Sequence, residues 1–171
     1  TQTHEGLEFE CKARLSHFME IGGMASFGNW RWENDVNADI VSEEGGEVLE
    51  SLYIYSAGLK VSDAPQQQIG VLTSFFLGEK WRFGANYVHN NKLYARFQVD
   101  ADRTDPDRAG LQPVMLPSFG YLDLRGSYSF QAGGVSWKAS INIQNASNSI
   151  YISDGFETFF TNPETGVKEP G

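Results

Sequence analysis

The chain of 171 residues has little cysteine and no long apolar run. Its single cysteine, Cys11, cannot form an internal disulfide and leaves the redox compartment open. The best candidate for an apolar run, residues 69–77, is nine residues long, whereas a membrane helix needs about 18 or more. This shortage argues against helical membrane spans. It does not argue against membrane-spanning β-strands, because these distribute their apolar residues by alternation.

Basic residues are also scarce: 13 Lys and Arg stand against 22 Asp and Glu, giving a net charge of −9. A nucleic-acid partner needs a basic stripe that neutralises phosphates, so none is expected. The acids concentrate in residues 33–50 and 100–107. The second stretch offers oxygen ligands for calcium, but it departs from an EF-hand because the sixth position is not glycine and the twelfth is Leu111. We expect solvated loops, with divalent bridging left open at Glu43, Glu44, Glu47 and Glu50.

Motifs of catalysis are missing as well. The sequence has no nucleophile elbow, phosphate-binding loop or dinucleotide fingerprint. His4, His17 and His89 are widely spaced, with no second ligand at metal-binding distance in the sequence. A carboxylate pair for glycoside hydrolysis is not excluded, since that assignment needs a separation in space. We therefore expect no enzyme, with no catalytic residues, no metal and no cofactor.

What the chain does have is long alternation of apolar and polar residues. The pattern is clearest in 119–130 and 135–145, on either side of a predicted four-residue turn at 131–134. A period of two predicts β-strands. Further strands are predicted at 6–15, 19–32, 66–77 and 81–94, with a short one at 52–55.

The length of these strands is unusual. Strands of soluble proteins have about 5–6 residues, whereas the two arms at 119–130 and 135–145 have about 11–12. At roughly 3.3 Å per residue and a tilt near 40°, such an arm matches the roughly 25–30 Å of a bilayer core. The strands are therefore long enough to cross a membrane.

The connections between the predicted strands alternate in length. Tight turns are predicted at 16–18, 78–80 and 131–134, and long segments at 33–65, 97–118 and after Tyr151, where no further strand is expected. Short turns at one end and long loops at the other are typical of outer-membrane barrels. We expect one domain over 1–171: an all-β, antiparallel, up-and-down transmembrane β-barrel segment of about six long strands with short periplasmic turns and long extracellular loops. Taken alone, the segment should be a curved sheet with both edges unpaired.

Alternation assigns side chains to the two faces of such a wall. The apolar set should face lipid: Leu7, Phe9, Leu122, Leu124, Tyr128, Val135, Trp137, Ile141 and Ile143. The polar set should face the lumen, where it solvates the wall, pairs with other parts of the protein or contacts a ligand: Glu8, Glu10, Lys12, Arg14, Asp123, Arg125, Lys138, Asn142 and Gln144. Four aromatic residues of the outer loops can stack on a ligand or belong to an interfacial belt: Trp30, Trp32, Tyr53 and Tyr55.

Four strings, in order, resemble the C-terminal part of the barrel of TonB-dependent outer-membrane receptors. They are the strand entry at 5–10, the glycine-to-proline segment 58–65, the "L-P-x-(aromatic)" string at 116–124 and the strand end at 141–151. Ala146 and Ser147 depart from the Leu-Phe that the family usually has after the asparagine. The family's aromatic-ended closing strand, plug domain and energy-coupling box are not among these residues, so we expect a fragment of a receptor that closes with about 22 strands.

The resemblance implies an active transporter in the outer membrane of a Gram-negative bacterium. In this family a plug fills the barrel, the outer loops and lumen capture a scarce ligand, and a TonB-type energy-transducing protein pulls on the plug. The ligands include iron chelates, cobalamin and glycans, and nothing in the sequence chooses among them. The expected partners are therefore outer-membrane lipid, the TonB-type protein through the plug, and a small ligand.

Two other functions stay open. The chain could be a soluble β-barrel or β-sandwich that binds a ligand, or a passive outer-membrane porin. The direction of the apolar residues separates the first from a transporter: Leu122, Leu124, Val135 and Ile141 point outward in a bilayer barrel and inward in a soluble one.

Overall fold

The computed structural model describes residues 1–62, 64–97, 103–157, 159–161 and 168–170. Its strands are β1 (Gln2–Ser16), β2 (Met19–Trp32), β3 (Val36–Val41), β4 (Val48–Ile54), β5 (Gln67–Leu77), β6 (Trp81–Asn91), β7 (Phe119–Ala132), β8 (Val135–Ile143), β9 (Phe159–Thr161) and β10 (Lys168–Pro170). A 3-10 turn spans Pro106–Arg108. None of the described residues belongs to a helix that is long and apolar enough to cross a bilayer.

Six of these strands form one antiparallel sheet in the order β1-β2-β5-β6-β7-β8. Each strand pairs with the one before it in this order, so the sheet is an up-and-down meander. The strands have 9 to 15 residues. The predictions of an all-β antiparallel fold and of six long strands are confirmed. β1 and β8 are the two edges, and the described strands do not close into a barrel.

The tight turns and the long connections lie at opposite ends of the sheet. Three turns, at 17–18, 78–80 and 133–134, join neighbouring strands at what we call the short-turn end. The connections from β2 to β5 and from β6 to β7, and the segment after β8, lie at the long-connection end. The predicted alternation of short and long connections is therefore present in the fold.

The turn at the end of β7 is shorter than predicted. Ala132 pairs with Val135, so the loop has two residues rather than four. Gly133 and Gly134 have φ of +61° and +77°. Two consecutive positive φ angles define a type I′ turn, whose twist matches that of the flanking strands, and glycine adopts them without strain.

Two segments that were expected to be loop contain strands. Residues 33–65 were predicted to hold one short strand at 52–55, but β3 and β4 form a hairpin in which Val36 lies opposite Ile54. The acidic residues of this segment interrupt the alternation of apolar and polar residues, so the β-branched residues of β3 give no clear strand pattern. The prediction that no strand follows Tyr151 is also wrong, because β9 and β10 pair, with Lys168 opposite Thr161.

Most of the buried apolar residues among those described lie in the long connections, and Val88 of β6 is the one on the six-stranded sheet. Leu93, Ala95 and Leu116 form a small core against Phe119. On the apolar face of the sheet most of the large apolar side chains are exposed. The large connections therefore pack on one another, while the strands leave a broad apolar surface uncovered.

Candidate functional site

The pairing register places polar and apolar side chains on opposite faces of the sheet. Residues that lie opposite each other on neighbouring strands point to the same side. We call the side that carries Glu8, Glu10, Lys12 and Arg14 of β1 the polar face, and the side that carries Leu7, Phe9 and Cys11 the apolar face. Each row of paired residues extends the assignment across all six strands.

The residues predicted to face a lumen lie together. The polar face carries eight of them: Glu8, Glu10, Lys12, Arg14, Asp123, Arg125, Lys138 and Asn142. Gln144 follows the last residue of β8 and is exposed. That this face lines a lumen stays a prediction.

The residues predicted to face lipid lie on the apolar face: Leu7, Phe9, Leu122, Leu124, Tyr128, Val135, Trp137, Ile141 and Ile143. Their exposure is high for large apolar side chains, reaching 65% for Leu7, 61% for Phe9 and 63% for Ile141. Trp81 and Tyr87 of β6 extend the same exposed surface. Of the nine, Leu122 and Tyr128 are half-buried and the other seven are exposed.

A groove with a volume of about 870 Å³ runs along the polar face over β1, β2 and β5. Glycines make room for it. A Cβ on Gly70 would come within 2.9 Å of Met24 Cε, so the absence of a side chain there lets Met24 lie flat across β5. Ala64 and Pro65, which precede β5, line the groove as well.

Charges of both signs line this groove. Lys12 Nζ lies 3.1 Å from Glu20 Oε2, and Arg125 Nη2 donates a hydrogen bond to Ser74 Oγ at 3.2 Å. Glu8 and Glu10 line the groove without an ion pair among the described residues. Carboxylates, an amide from Gln68 and hydroxyls give a surface that exchanges hydrogen bonds with a polar solute.

Of the four aromatic ligand candidates, the groove includes Trp30. Its indole stacks on His4 with ring centroids 5.3 Å apart. The ring centroids of Trp32 and Phe97 are 6.1 Å apart in an edge-on arrangement. Those of Tyr53 and Tyr55, at the end of the β3–β4 hairpin, are 4.9 Å apart. The structure therefore places Trp30 in the groove and does not bring the two tyrosines to it.

A carboxylate anchors the β3–β4 hairpin to the long-connection end. Asp35 Oδ1 accepts hydrogen bonds from the backbone N–H of Ala57 at 2.8 Å and of Ser56 at 2.9 Å, and Tyr53 Oη donates to Oδ2 at 3.1 Å. The Ala57 N–H, more than the other two donors, lowers the pKa of Asp35 below its ordinary 3.8. The hydrogen bond to Asp35 in turn raises the pKa of Tyr53 above its ordinary 10.0.

The acidic stretches show ordinary loop contacts. Residues 100–102 of the second stretch lie outside the described residues. Asp105 Oδ1 accepts a hydrogen bond from the Asp107 N–H at 3.0 Å, which caps the 3-10 turn. Glu43, Glu44, Glu47 and Glu50 are exposed. Within the described ranges, no three metal-ligating side chains come together.

One contact of the long-connection end escaped sequence reasoning. Arg103 Nη2 lies 2.8 Å from Glu157 Oε2, and both side chains are buried. Arg103 also donates to the carbonyl of Leu111 at 2.6 Å, while its own carbonyl accepts from Tyr55 N–H at 2.7 Å. No signal in the sequence links residues so far apart.

Comparisons with protein-family models, with curated proteins and with solved structures found no match to this chain.

Proposed function

We propose that the chain is part of the barrel wall of an outer-membrane active transporter of the TonB-dependent receptor type. Such a transporter binds a scarce ligand, an iron chelate, cobalamin or a glycan, and imports it with energy from a TonB-type partner. The meander of long strands, the sorting of short and long connections and the four receptor-like strings support this proposal. The exposed apolar face is the observation that supports the proposal most strongly.

That face is difficult to reconcile with a protein that is soluble on its own. Soluble monomers rarely expose contiguous apolar patches above a few hundred Å². Here Phe9, Ile69, Val71, Trp137 and Ile141 are 43% to 63% exposed on β1, β5 and β8, which belong to one six-stranded sheet. A bilayer removes such a surface from water at a gain of roughly 25 cal/mol per Å². A soluble barrel or sandwich would have to bury the same side chains.

The dimensions also fit a bilayer. β5 and β6 have 11 residues each. At about 3.3 Å per residue and a tilt near 40°, such a strand covers roughly 28 Å along the membrane normal, close to the apolar band of a membrane barrel. The opposite, polar face then lines the water-filled interior, where Glu8, Lys12 and Trp30 meet the ligand or the plug.

Cys11 provides a direct test, because it lies on the apolar face and is exposed in the isolated chain. The full-length protein would be treated in isolated outer membranes with a membrane-impermeant maleimide, after any other cysteine has been replaced. We expect Cys11 to react only after detergent is added. The matched variant combines Cys11→Ser with Glu10→Cys, which moves the thiol one residue along β1 to the polar face, and it should react without detergent. Equal labelling of the two thiols in intact membranes would overturn the proposal.

A second experiment separates active transport from a passive pore. Cells that express the protein are offered an iron chelate, cobalamin or an oligosaccharide at submicromolar concentration, with and without a protonophore. An active transporter accumulates one of these ligands and loses the accumulation when the proton gradient collapses. Uptake that is indifferent to the protonophore would instead identify a porin.

A further inference from the structure

Three cationic side chains converge on the polar face near the short-turn end. Arg82 of β6, Arg125 of β7 and Lys138 of β8 line a pocket of about 390 Å³, which we call the cationic pocket. Four neutral hydrogen-bonding side chains also line it, together with Phe76, Phe83 and Gly126: Ser74, Ser127, Ser140 and Asn142. None of the described residues that line it carries a carboxylate.

The strand register brings these residues together. Arg82 lies opposite Ser127, which lies opposite Ser140, so one row crosses β6, β7 and β8. In the next row on the same face, Arg125 lies opposite Asn142. Rows on one face of a sheet repeat every two residues, about 7 Å apart. The side chains of both rows, and Lys138 beyond them, can therefore reach one small ligand.

Neighbouring residues fix the two guanidinium groups. Gly84 lies opposite Arg125, and a Cβ at Gly84 would clash with Arg125 Nε and lie 2.9 Å from Arg125 Cγ. The missing side chain thus lets Arg125 lie across β6 and reach Ser74. Arg82 rests on the ring of Phe76, with its Cζ 5.7 Å from the ring centroid. A cation held over an aromatic ring is oriented while its N–H groups stay available.

The cations of the pocket lack counter-charges. Among the described residues, Arg82, Arg125 and Lys138 form no ion pair. Of the acids elsewhere on the same face, Glu20 pairs with Lys12, and Asp123 Oδ1 accepts from the Asn145 N–H at 2.8 Å. Glu8 and Glu10 line the groove over β1, β2 and β5 and do not line the cationic pocket. In a chain of net charge −9, a pocket with three cations and no acid is a local reversal of charge.

We propose that the cationic pocket binds a phosphate group. At neutral pH a phosphate monoester carries about 1.5 to 2 negative charges and three terminal acceptor oxygens, and inorganic phosphate carries between one and two charges and four oxygens. Two guanidinium forks, one ammonium and several hydroxyls match that number of acceptors. A single carboxylate, with one charge and two oxygens, would leave two of the three cations uncompensated. The inference stands on the polar face alone and does not depend on the transport proposal.

The test is calorimetric titration of the full-length protein in a neutral detergent with sodium phosphate, and with sodium acetate at equal ionic strength. We expect phosphate to bind at least about tenfold more tightly than acetate. Arg82→Gln and Lys138→Gln should each weaken phosphate binding by about tenfold, because each removes a charge-assisted contact. Lys92→Gln, which removes the same charge from an exposed position after β6, should leave the affinity unchanged. Circular dichroism confirms that each variant keeps its β structure.

A second arm identifies the source of the phosphate. The same protein is titrated with micelles that contain phosphatidic acid or, as a control, phosphatidylcholine. Binding of phosphatidic acid that inorganic phosphate displaces indicates a lipid headgroup, and binding of inorganic phosphate alone indicates a free solute. Equal affinity for acetate and phosphate, or affinity that the Arg82 and Lys138 substitutions leave unchanged, would overturn the proposal.

Discussion

Arg103 and Glu157, 54 residues apart in the sequence, form an ion pair of 2.8 Å with side chains that are 1% and 2% exposed. Glu157 also accepts a hydrogen bond from the Val114 N–H at 2.5 Å. Through Arg103 the pair holds the backbone of Tyr55 as well. One buried ion pair therefore joins three segments of the chain. They are the connection that contains β3 and β4, the connection before β7 and the segment after β8.

The first prediction concerns this tie. Glu157→Gln leaves the Arg103 guanidinium buried without its counter-ion, and we expect it to destabilise the long-connection end by about 3–5 kcal/mol. Hydrogen exchange of the backbone amides of Val114 and Leu116 measures the effect. Asp154→Asn is the matched control, because it breaks an exposed pair with Arg96 at 3.1 Å that is worth about 0–1 kcal/mol. Equal effects of the two substitutions would contradict a buried tie.

The second prediction concerns the apolar face. Phe9→Lys places a charge at the middle of β1 on the side proposed to meet lipid. In phospholipid vesicles we expect it to lower the free energy of unfolding by about 2–4 kcal/mol, as measured by urea titration of tryptophan fluorescence. Glu10→Lys, one residue further on the polar face, should change it by less than about 0.5 kcal/mol. A Phe9→Lys variant as stable as the Glu10→Lys variant would speak against lipid contact.

The third prediction concerns the packing of the Arg125 side chain over Gly84. Gly84→Ala pushes its Cβ into the Arg125 side chain, and such overpacking costs about 1–3 kcal/mol. In an Arg125→Ala background the same substitution should become nearly neutral, which a double-mutant cycle of urea unfolding detects. Gly22→Ala is the control on the same face, because the nearest atom to its Cβ is the Cys11 carbonyl oxygen at 3.4 Å. Additive effects of Gly84→Ala and Arg125→Ala would refute the contact.

The fourth prediction concerns pH and the β3–β4 hairpin. Because the Ala57 N–H lowers the pKa of Asp35 in the folded protein, the unfolded chain binds the proton first as the pH falls. The contribution of Asp35 to stability is therefore complete above pH 3.8 and is lost as the pH falls through the lowered pKa. The amide resonances of Ser56 and Ala57 should titrate with a midpoint below 3.8. Asp35→Asn should abolish this titration, and a midpoint at or above 3.8 would exclude the anchoring role.

Particular elements show what could be predicted and what could not. β2 runs over Met19–Trp32, the predicted range, because its alternation over Met19–Phe27 follows directly on a tight turn. β3 was missed because six residues among acids are too few for a clear period. The predicted turn at 131–134 is two residues too long, because strand pairing continues through Gln131 and Ala132.

Some residues of the candidate site could likewise be predicted from the sequence, and one could not. Glu8, Lys12, Arg125 and Lys138 were recognised as members of one face. Arg82 was not singled out, although its pairing with Ser127 puts it beside Arg125. The pairing of β6 with β7 bridges a connection of 27 residues, numbered 92–118, and no local pattern specifies its register.

The sequence by itself determined which side chains share a face, because the backbone of a β-strand turns successive residues to opposite sides whatever the strand packs against. Only the tertiary structure decided which of those side chains become neighbours. The groove, the cationic pocket and the Arg103–Glu157 tie depend on register across strands and on contacts between distant connections, and these follow from the packing of the whole chain.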